Sequence, residues 1–514
     1  MLDRLFPHQQ NVARYLPAIS HGYAKVAADP RWSCEGLPGT MLDYLRAGGI
    51  FRYPATLASA GQVMTESGGL SSASTMITER DPRSSFVVAD SGGFQIQQGT
   101  LGPWRYQQTV LQSLRWQEAH GDYVMALDFP TGGINTGEMD KHIHRLTHVD
   151  GEDLAAMNAA NGLGIAFNAC MRQTQINTEI MLQHRQPGTR LLVVLQGTSE
   201  PESRVWYEAH KGYIADAEGI AFAGTSNTSV RLMLHRLIDM RDDGLLAKIK
   251  HIHVLGTGTF ESGCVLTTIQ RCIRASINPE LQITFDTATP FQEANERYRL
   301  GAFYCIDNVS IPFEYVRPSG AAKSEYGHHN ELSFPINDWC HAQAEDERNR
   351  VVFDKLGSYQ AMQGRPTAYA AISVIGKTLA LNDVAVVRRE KDDPDPLNFV
   401  IKPTGNTALL MCVHNVDAYT RAMEQVLDRW TKKDREVRNN FPPQLLLIRT
   451  LIEMVFAPNH AIGLTDELAE LPDMHFDGPL AEVPSPRKGT IPYNAHAFIE
   501  EHKARLDCYV KQRA

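Results

Sequence analysis

Residues Phe86–Gln98 read FVVADSGGFQIQQ. The apolar run FVVA stops at an acid, and Ser91, Gly92 and Gly93 follow before the aromatic Phe94. A short apolar run bounded by turn residues reads as a strand buried on both faces, the kind found in parallel sheets. The helical-looking QQTVLQSLRWQEAHG comes next. The stretch is thus part of a strand-loop-helix unit, and the fold depends on whether that unit repeats.

It does repeat. DYVMALDFP leads through a polar loop to GEDLAAMNAANGLGIAFNACMRQ, and TRLLVVLQGTS leads to PESRVWYEAHKGYIAD. EGIAFAGTS precedes SVRLMLHRLIDMRDDG, IKHIHVLGTGT precedes CVLTTIQRCIRAS, and LQITFDTATP ends the series. Such a row of units is α/β and favours a (β/α)8 TIM barrel over a doubly wound sheet. No GxGxxG follows the first strand, which removes the sequence support for a dinucleotide fold. The rhythm stops near residue 305. The expected organisation is an N-terminal extension (1–34), a modified barrel over 35–305 and 406–430, an insertion late in the barrel (306–405), and a mostly helical C-terminal extension (431–514).

The 514 residues are 43% hydrophobic and 21% charged, with a net charge of −9. That is ordinary for a globular protein and carries no global basic signal for nucleic acid, although a local basic patch would suffice to bind phosphates. The eight cysteines are scattered and none forms CxxC, so a reducing compartment is the natural reading. The start MLDRLFPHQQ lacks a basic segment followed by an apolar run, and no apolar stretch nears the ~18 residues of a membrane span. A cytoplasmic protein without membrane contact is expected.

In a barrel, function sits where the strands end. The apolar runs stop at Asp90, Asp128, Gln196, Gly224, Gly256 and Asp286. An acid after a strand is often only a turn residue or a helix cap. Three acids on one rim are different, because they converge in space. Two carboxylates can divide a displacement at a sugar carbon, one attacking and the other moving a proton. A third acid and an amide can read a flat heterocycle, with a ring such as Phe94 stacking on it.

The ordered set DSGGF-Q, VMALD, LQG, AFAGTS, HVLGTGT and FDTATP resembles the tRNA-guanine transglycosylase superfamily. The resemblance runs from about Leu42 to Ala302, with a further match at VHNVDAYTRAME. It implies exchange of guanine for a 7-deazaguanine through a covalent Asp-glycosyl intermediate, with no cofactor for the chemistry. It further implies Asp286 as nucleophile and Asp90 as general acid/base. Asp128 and Gln196 would read the base, assisted by Ser91 and the backbone at Gly224. Phe94 would stack on the base and Leu255 pack on its other face.

The departures from the family pattern bear on the polymer. The family continues past its nucleophile with a Leu-Pro-Thr-Arg segment whose arginine serves tRNA; here Pro290 is followed by Phe291 and Gln292. The family also holds a zinc with closely spaced cysteines and a histidine. His414 matches the histidine, but only Cys340 stands near the cysteine position. Asp338, Cys340, His341 and His414 are the candidate set for a structural zinc, which needs four ligands. With these departures and its length, the chain resembles the branch that places 7-deazaguanines in DNA, with 7-cyano-7-deazaguanine (preQ0) as the expected base. That reaction extracts the target base from the duplex, and protein partners from a DNA-modification system would accompany it. Arg429, Lys432, Lys433, Arg435 and Arg438 in RWTKKDREVR are candidate contacts to the nucleic-acid backbone. The same run also reads as a solvated face. Base exchange on tRNA is the alternative.

Rival readings are weaker. A chymotrypsin-like protease would place its nucleophile at Ser91, but only His8 and His21 precede it, and Phe94 replaces the proline of that turn. A metal-dependent barrel hydrolase is suggested by HIH at 251–253 and HIHRLTH at 142–148. The first lies at the start of its apolar run, the expected N-terminal end of a strand and the wrong rim for a site. The second falls in a polar loop or short helix. A non-catalytic nucleic-acid-binding subunit would have no need of both Asp90 and Asp286.

Overall fold

The computed structural model describes residues 2–65, 69–99, 107–135, 137, 139–224, 229–306, 309, 313–320, 333–344, 368–384, 386–389, 399–402, 405–432, 441–456, 495–503 and 506. Eight parallel strands form its centre: β1 (Arg14–Pro17), β2 (Ala55–Ser59), β3 (Phe86–Asp90), β4 (Tyr123–Met125), β5 (Leu191–Leu195), β6 (Gly219–Phe222), β7 (His251–Val254) and β8 (Gln282–Thr287). The sheet runs β1-β8-β7-β6-β5-β4-β3-β2. Its two edges meet: Ala18 bridges Leu57 in parallel, and the Ile19 N–H donates to Leu57 O at 3.0 Å. The sheet therefore comes round nearly to a closed barrel, which leaves almost no open edge.

The strands are buried along nearly their whole length, as the continuous apolar runs require. Helices α1 (Gln107–His120), α2 (Asp140–Asn161), α3 (Ile165–His184), α4 (Glu200–Ala215), α5 (Val230–Asp242) and α6 (Phe260–Ser276) fill the connections. Three start on a side-chain cap: Ser199 accepts from Glu202 N, Ser229 from Arg231 N, and Thr259 from Ser262 N.

The barrel begins earlier than the sequence rhythm indicated. β1 lies inside the stretch read as an extension, because RYLP is short and opens on arginine, and so gives no apolar run. Arg14 is nevertheless buried, with its guanidinium 4.3 Å above the Phe6 ring. After β8 comes the short helix α7 (Thr289–Asn295), then strand β9 (Leu300–Cys305), which pairs antiparallel with Glu314–Val316 and Ala368–Ala370. The long helix α8 (Gly405–Thr431) packs on α6, α7 and β9. Buried Asn415 joins these pieces: its amide donates to Pro290 O and Arg299 O, and its oxygen accepts from Gly301 N. In the C-terminal region, α9 (Pro443–Phe456) packs on α6 and α10 (Ala495–Glu501) on α5. Among the described residues no helix is long and apolar enough to cross a membrane.

Candidate active site at the carboxyl rim

All eight strands point the same way, so their carboxyl ends share one rim. Asp90 ends β3 and Asp286 stands one residue before the end of β8. Only β1 and β2 separate these strands around the barrel.

Asp90 is held by its neighbours. Its Oδ2 accepts the Ser59 hydroxyl at 2.6 Å and the Gly92 N–H at 3.3 Å. Burial pushes its pKa up, the Ser59 bond offsets part of this, and the charge of Asp286 adds to the rise. Asp286 is held differently. Its Oδ1 accepts from His253 Nε2 at 3.1 Å and from the Gly256 N–H at 3.0 Å. Its Oδ2 accepts no bond among the described residues.

Asp128 follows β4 and Gln196 follows β5. The Gln196 amide donates to Asp128 Oδ2, while its oxygen accepts the Thr131 N–H at 2.9 Å. These two partners fix which way the amide faces. Burial, then the charge of Asp90, pushes Asp128 up to about 7. The three acids are thus electrically linked: Asp286 acts on Asp90, and Asp90 on Asp128.

The double glycine has a steric reason. A Cβ on Gly93 would lie 2.2 Å from Asp128 Oδ1, and Gly92 has φ +99° with the Gly61 backbone against it. Phe94 follows on a short helix and is 55% exposed. Leu255 is half-buried just past β7, and Gly224, at φ +61°, just past β6.

Ser91 departs from its expected role. It is fully buried, its hydroxyl donates to Ala126 O at 3.2 Å, and its carbonyl accepts from Ser113 Oγ. The side chain next to Asp90 turns into the wall and ties β3 to β4 rather than facing a ligand. In the sequence Ser59 carries no site assignment, Gly256 is only the stop of its apolar run, and His253 is only a metal-ligand candidate of the rival reading. Ser59 ends the run PATLAS, so the strand-end rule would have reached it. His253 was assigned to the wrong rim; β7 is so short that its third residue already reaches Asp286 on the next strand.

The four candidate zinc ligands do not form a set. Cys340 and His414 do meet, with Sγ 3.8 Å from Nε2. But His414 Nε2 lies 2.8 Å from Gly301 O, an acceptor only, so this nitrogen carries hydrogen. His414 Nδ1 takes Ser373 Oγ at 2.8 Å, and the Cys340 thiol donates to Gly301 O at 3.3 Å. Asp338 and His341 are exposed, away from buried Cys340. Among the described residues no three His, Cys, Asp or Glu side chains converge on a metal position. Among the described residues, the four candidates do not assemble the ligand set a structural zinc needs.

The basic run is only partly in view. Arg429 is half-buried and its guanidinium donates to the Tyr369 hydroxyl at 3.2 Å; Lys432 pairs with Asp428 at 2.7 Å. Arg429 thus has a partner within the fold, and Lys432 is exposed beside Asp428. Lys433, Arg435 and Arg438 lie outside the described residues. HIHRLTH lies in the first segment of α2, before its kink at Asp150, where His142 sits edge-on to Phe129 and burial pushes it down to about 4.

The sequence matches no protein-family model and no curated protein.

Proposed function

We propose that the chain is a guanine transglycosylase that replaces guanine in DNA by a 7-deazaguanine, with 7-cyano-7-deazaguanine as the expected base. The observation that carries this reading is the unequal setting of two rim carboxylates. Asp286 has one oxygen held by two donors and the other unengaged among the described residues, whereas Asp90 has its pKa raised by burial and by the Asp286 charge. Carboxylates set apart in this way divide into a nucleophile and a proton-transfer group.

The steps follow from that division. Asp286 Oδ2 attacks C1′ as the C1′–N9 bond breaks, and Asp90 gives its proton to the departing guanine. The Asp90 carboxylate then takes the N9 proton of the incoming 7-deazaguanine. N9 attacks C1′, and Asp286 leaves as a carboxylate. One glycosidic bond replaces another, so no energy source is consumed. Ionised Asp128, oriented by Gln196, accepts from the N–H edge of the base, and Phe94 offers a stacking face.

DNA is favoured over tRNA because Phe291 and Gln292 stand where a tRNA-contacting arginine would follow Pro290. The test is incubation with labelled guanine or 7-deazaguanine and either plasmid DNA or tRNA. Label is expected in DNA; label in tRNA alone overturns the choice of polymer, and label in neither overturns base exchange. Asp286→Asn is expected to bind the base without exchanging it. A wild-type exchange rate in that variant would remove the nucleophile assignment.

A further inference from the structure

Behind Asp286 runs a chain of side chains that the exchange reaction does not use. His251 and His253 are two residues apart on β7, so they share one face of the strand. β8 sets Thr284 directly opposite His253. Thr284 Oγ1 is 2.8 Å from His251 Nε2 and 2.8 Å from His253 Nδ1. His253 Nε2 then reaches Asp286 Oδ1 at 3.1 Å. All four side chains are buried, and the far end is closed by the Tyr123 ring stacked on His251, with centroids 4.2 Å apart.

Counting protons orders this chain. A carboxylate oxygen only accepts, so His253 Nε2 carries hydrogen. In a neutral ring His253 Nδ1 is then bare and accepts the single Thr284 hydroxyl proton. Thr284 Oγ1 in turn accepts from His251 Nε2–H. With both rings uncharged, one pattern satisfies every bond. Burial favours it, since it holds His251 well below the usual histidine range.

We propose that His253 is a positioning residue for the nucleophile, with Thr284 and His251 fixing its ring. His253 and the Gly256 N–H both engage Asp286 Oδ1, so the carboxylate cannot rotate freely and Oδ2 is the oxygen turned to C1′. A carboxylate free to turn would spend less time in the attacking orientation, and small misplacements of reacting groups are expensive in rate. This inference rests on the transglycosylase reading of Asp286.

Three variants test it in the base-exchange assay, with wild type run in parallel. His253→Phe keeps a ring but removes the donor; His253→Gln keeps an N–H near the Nε2 position; Thr284→Val removes the middle link at nearly constant shape. His253→Phe is expected to lower kcat by about tenfold or more. KM for the base, which Asp128 and Gln196 set, is expected to stay within about twofold. His253→Gln should recover most of kcat, and Thr284→Val should lie between Phe and wild type. A merely structural histidine predicts a different result: Phe and Gln would lose activity alike, or both variants would lose thermal stability and base affinity together. Unchanged kcat in His253→Phe, or equal losses in Phe and Gln, overturns the positioning role while leaving the exchange reaction standing. A wild type that exchanges no base removes the transglycosylase reading and this role with it. Long-range proton–nitrogen correlations of the histidine rings give a readout apart from activity. His253 is expected as the Nε2–H tautomer, and a bare Nε2 would overturn the proposal.

Discussion

Under the proposed base exchange, Asp128 meets two opposing demands. A base edge with N–H groups wants an ionised carboxylate, whereas burial and the charge of Asp90 favour the protonated form and push Asp128 up to about 7. Two consequences follow. KM for the base should rise as pH falls below about 7, by up to about tenfold per unit, because protonated Asp128 loses its acceptor role. Steady-state kinetics across pH 6 to 8 would show this, and Asp128→Asn should flatten it while raising KM throughout. The second consequence concerns folding. The folded pKa lies above the unfolded value of 3.8, so the folded state holds more protons between those limits. The contribution of Asp128 to stability is therefore fully present below 3.8 and is lost as pH rises through about 7, a swing of up to about 4 kcal/mol. Thermal melts of Asp128→Asn should exceed wild type by more at pH 8 than at pH 5; an equal offset at both would show that the group does not titrate as described. The sequence marked Asp128 as a strand-end acid. It held nothing of Gln196 and Asp90 as the partners that set its charge, because they come from other strands.

At the scale of the element, the turn after β3 is the part most tightly specified. Gly93 is forced by the approach of Asp128 to within what would be 2.2 Å of a Cβ. Gly93→Ala must displace the carboxylate or the turn, at about 1–3 kcal/mol of stability. Base affinity should fall with it, read as a higher KM in kinetics and a lower Tm in a melt. Unchanged values would show that the turn yields at no cost. The strands themselves were legible wherever a continuous apolar run marked them, as in FVVAD, LLVVL and QITFD. RYLP was not, because its burial depends on Phe6 and Tyr53 closing over Arg14 and Tyr15. HIHRLTH reads as a polar loop or short helix, and it lies in the short first segment of α2, before the kink at Asp150 (φ −122°, ψ 29°). Its polar sequence lacks a clear apolar stripe, so local periodicity is a weak guide there.

At the scale of the whole molecule, the late insertion is fastened to the barrel through His414 on α8. Gly301 O on β9, Ser373 and Cys340 all close on that one ring. Hydrogen bonds here occupy the atoms a metal would need, so exhaustive chelation should leave Tm unchanged. A drop on chelation, restored by zinc, would place a metal at this cluster. Fold class, the order of the barrel units and the acids at Asp90, Asp128 and Asp286 were all determined by the sequence alone. Those features are local: an apolar run, its stop and the residue type at the stop. Tertiary structure alone decided that the barrel starts at β1, that Ser91 faces the wall, that Cys340 and His414 join a hydrogen-bonded cluster, and that His253 stands behind Asp286. Each of these depends on which strand lies beside which and on the register between them. Closure of the barrel sets both, through contacts between residues far apart in the chain.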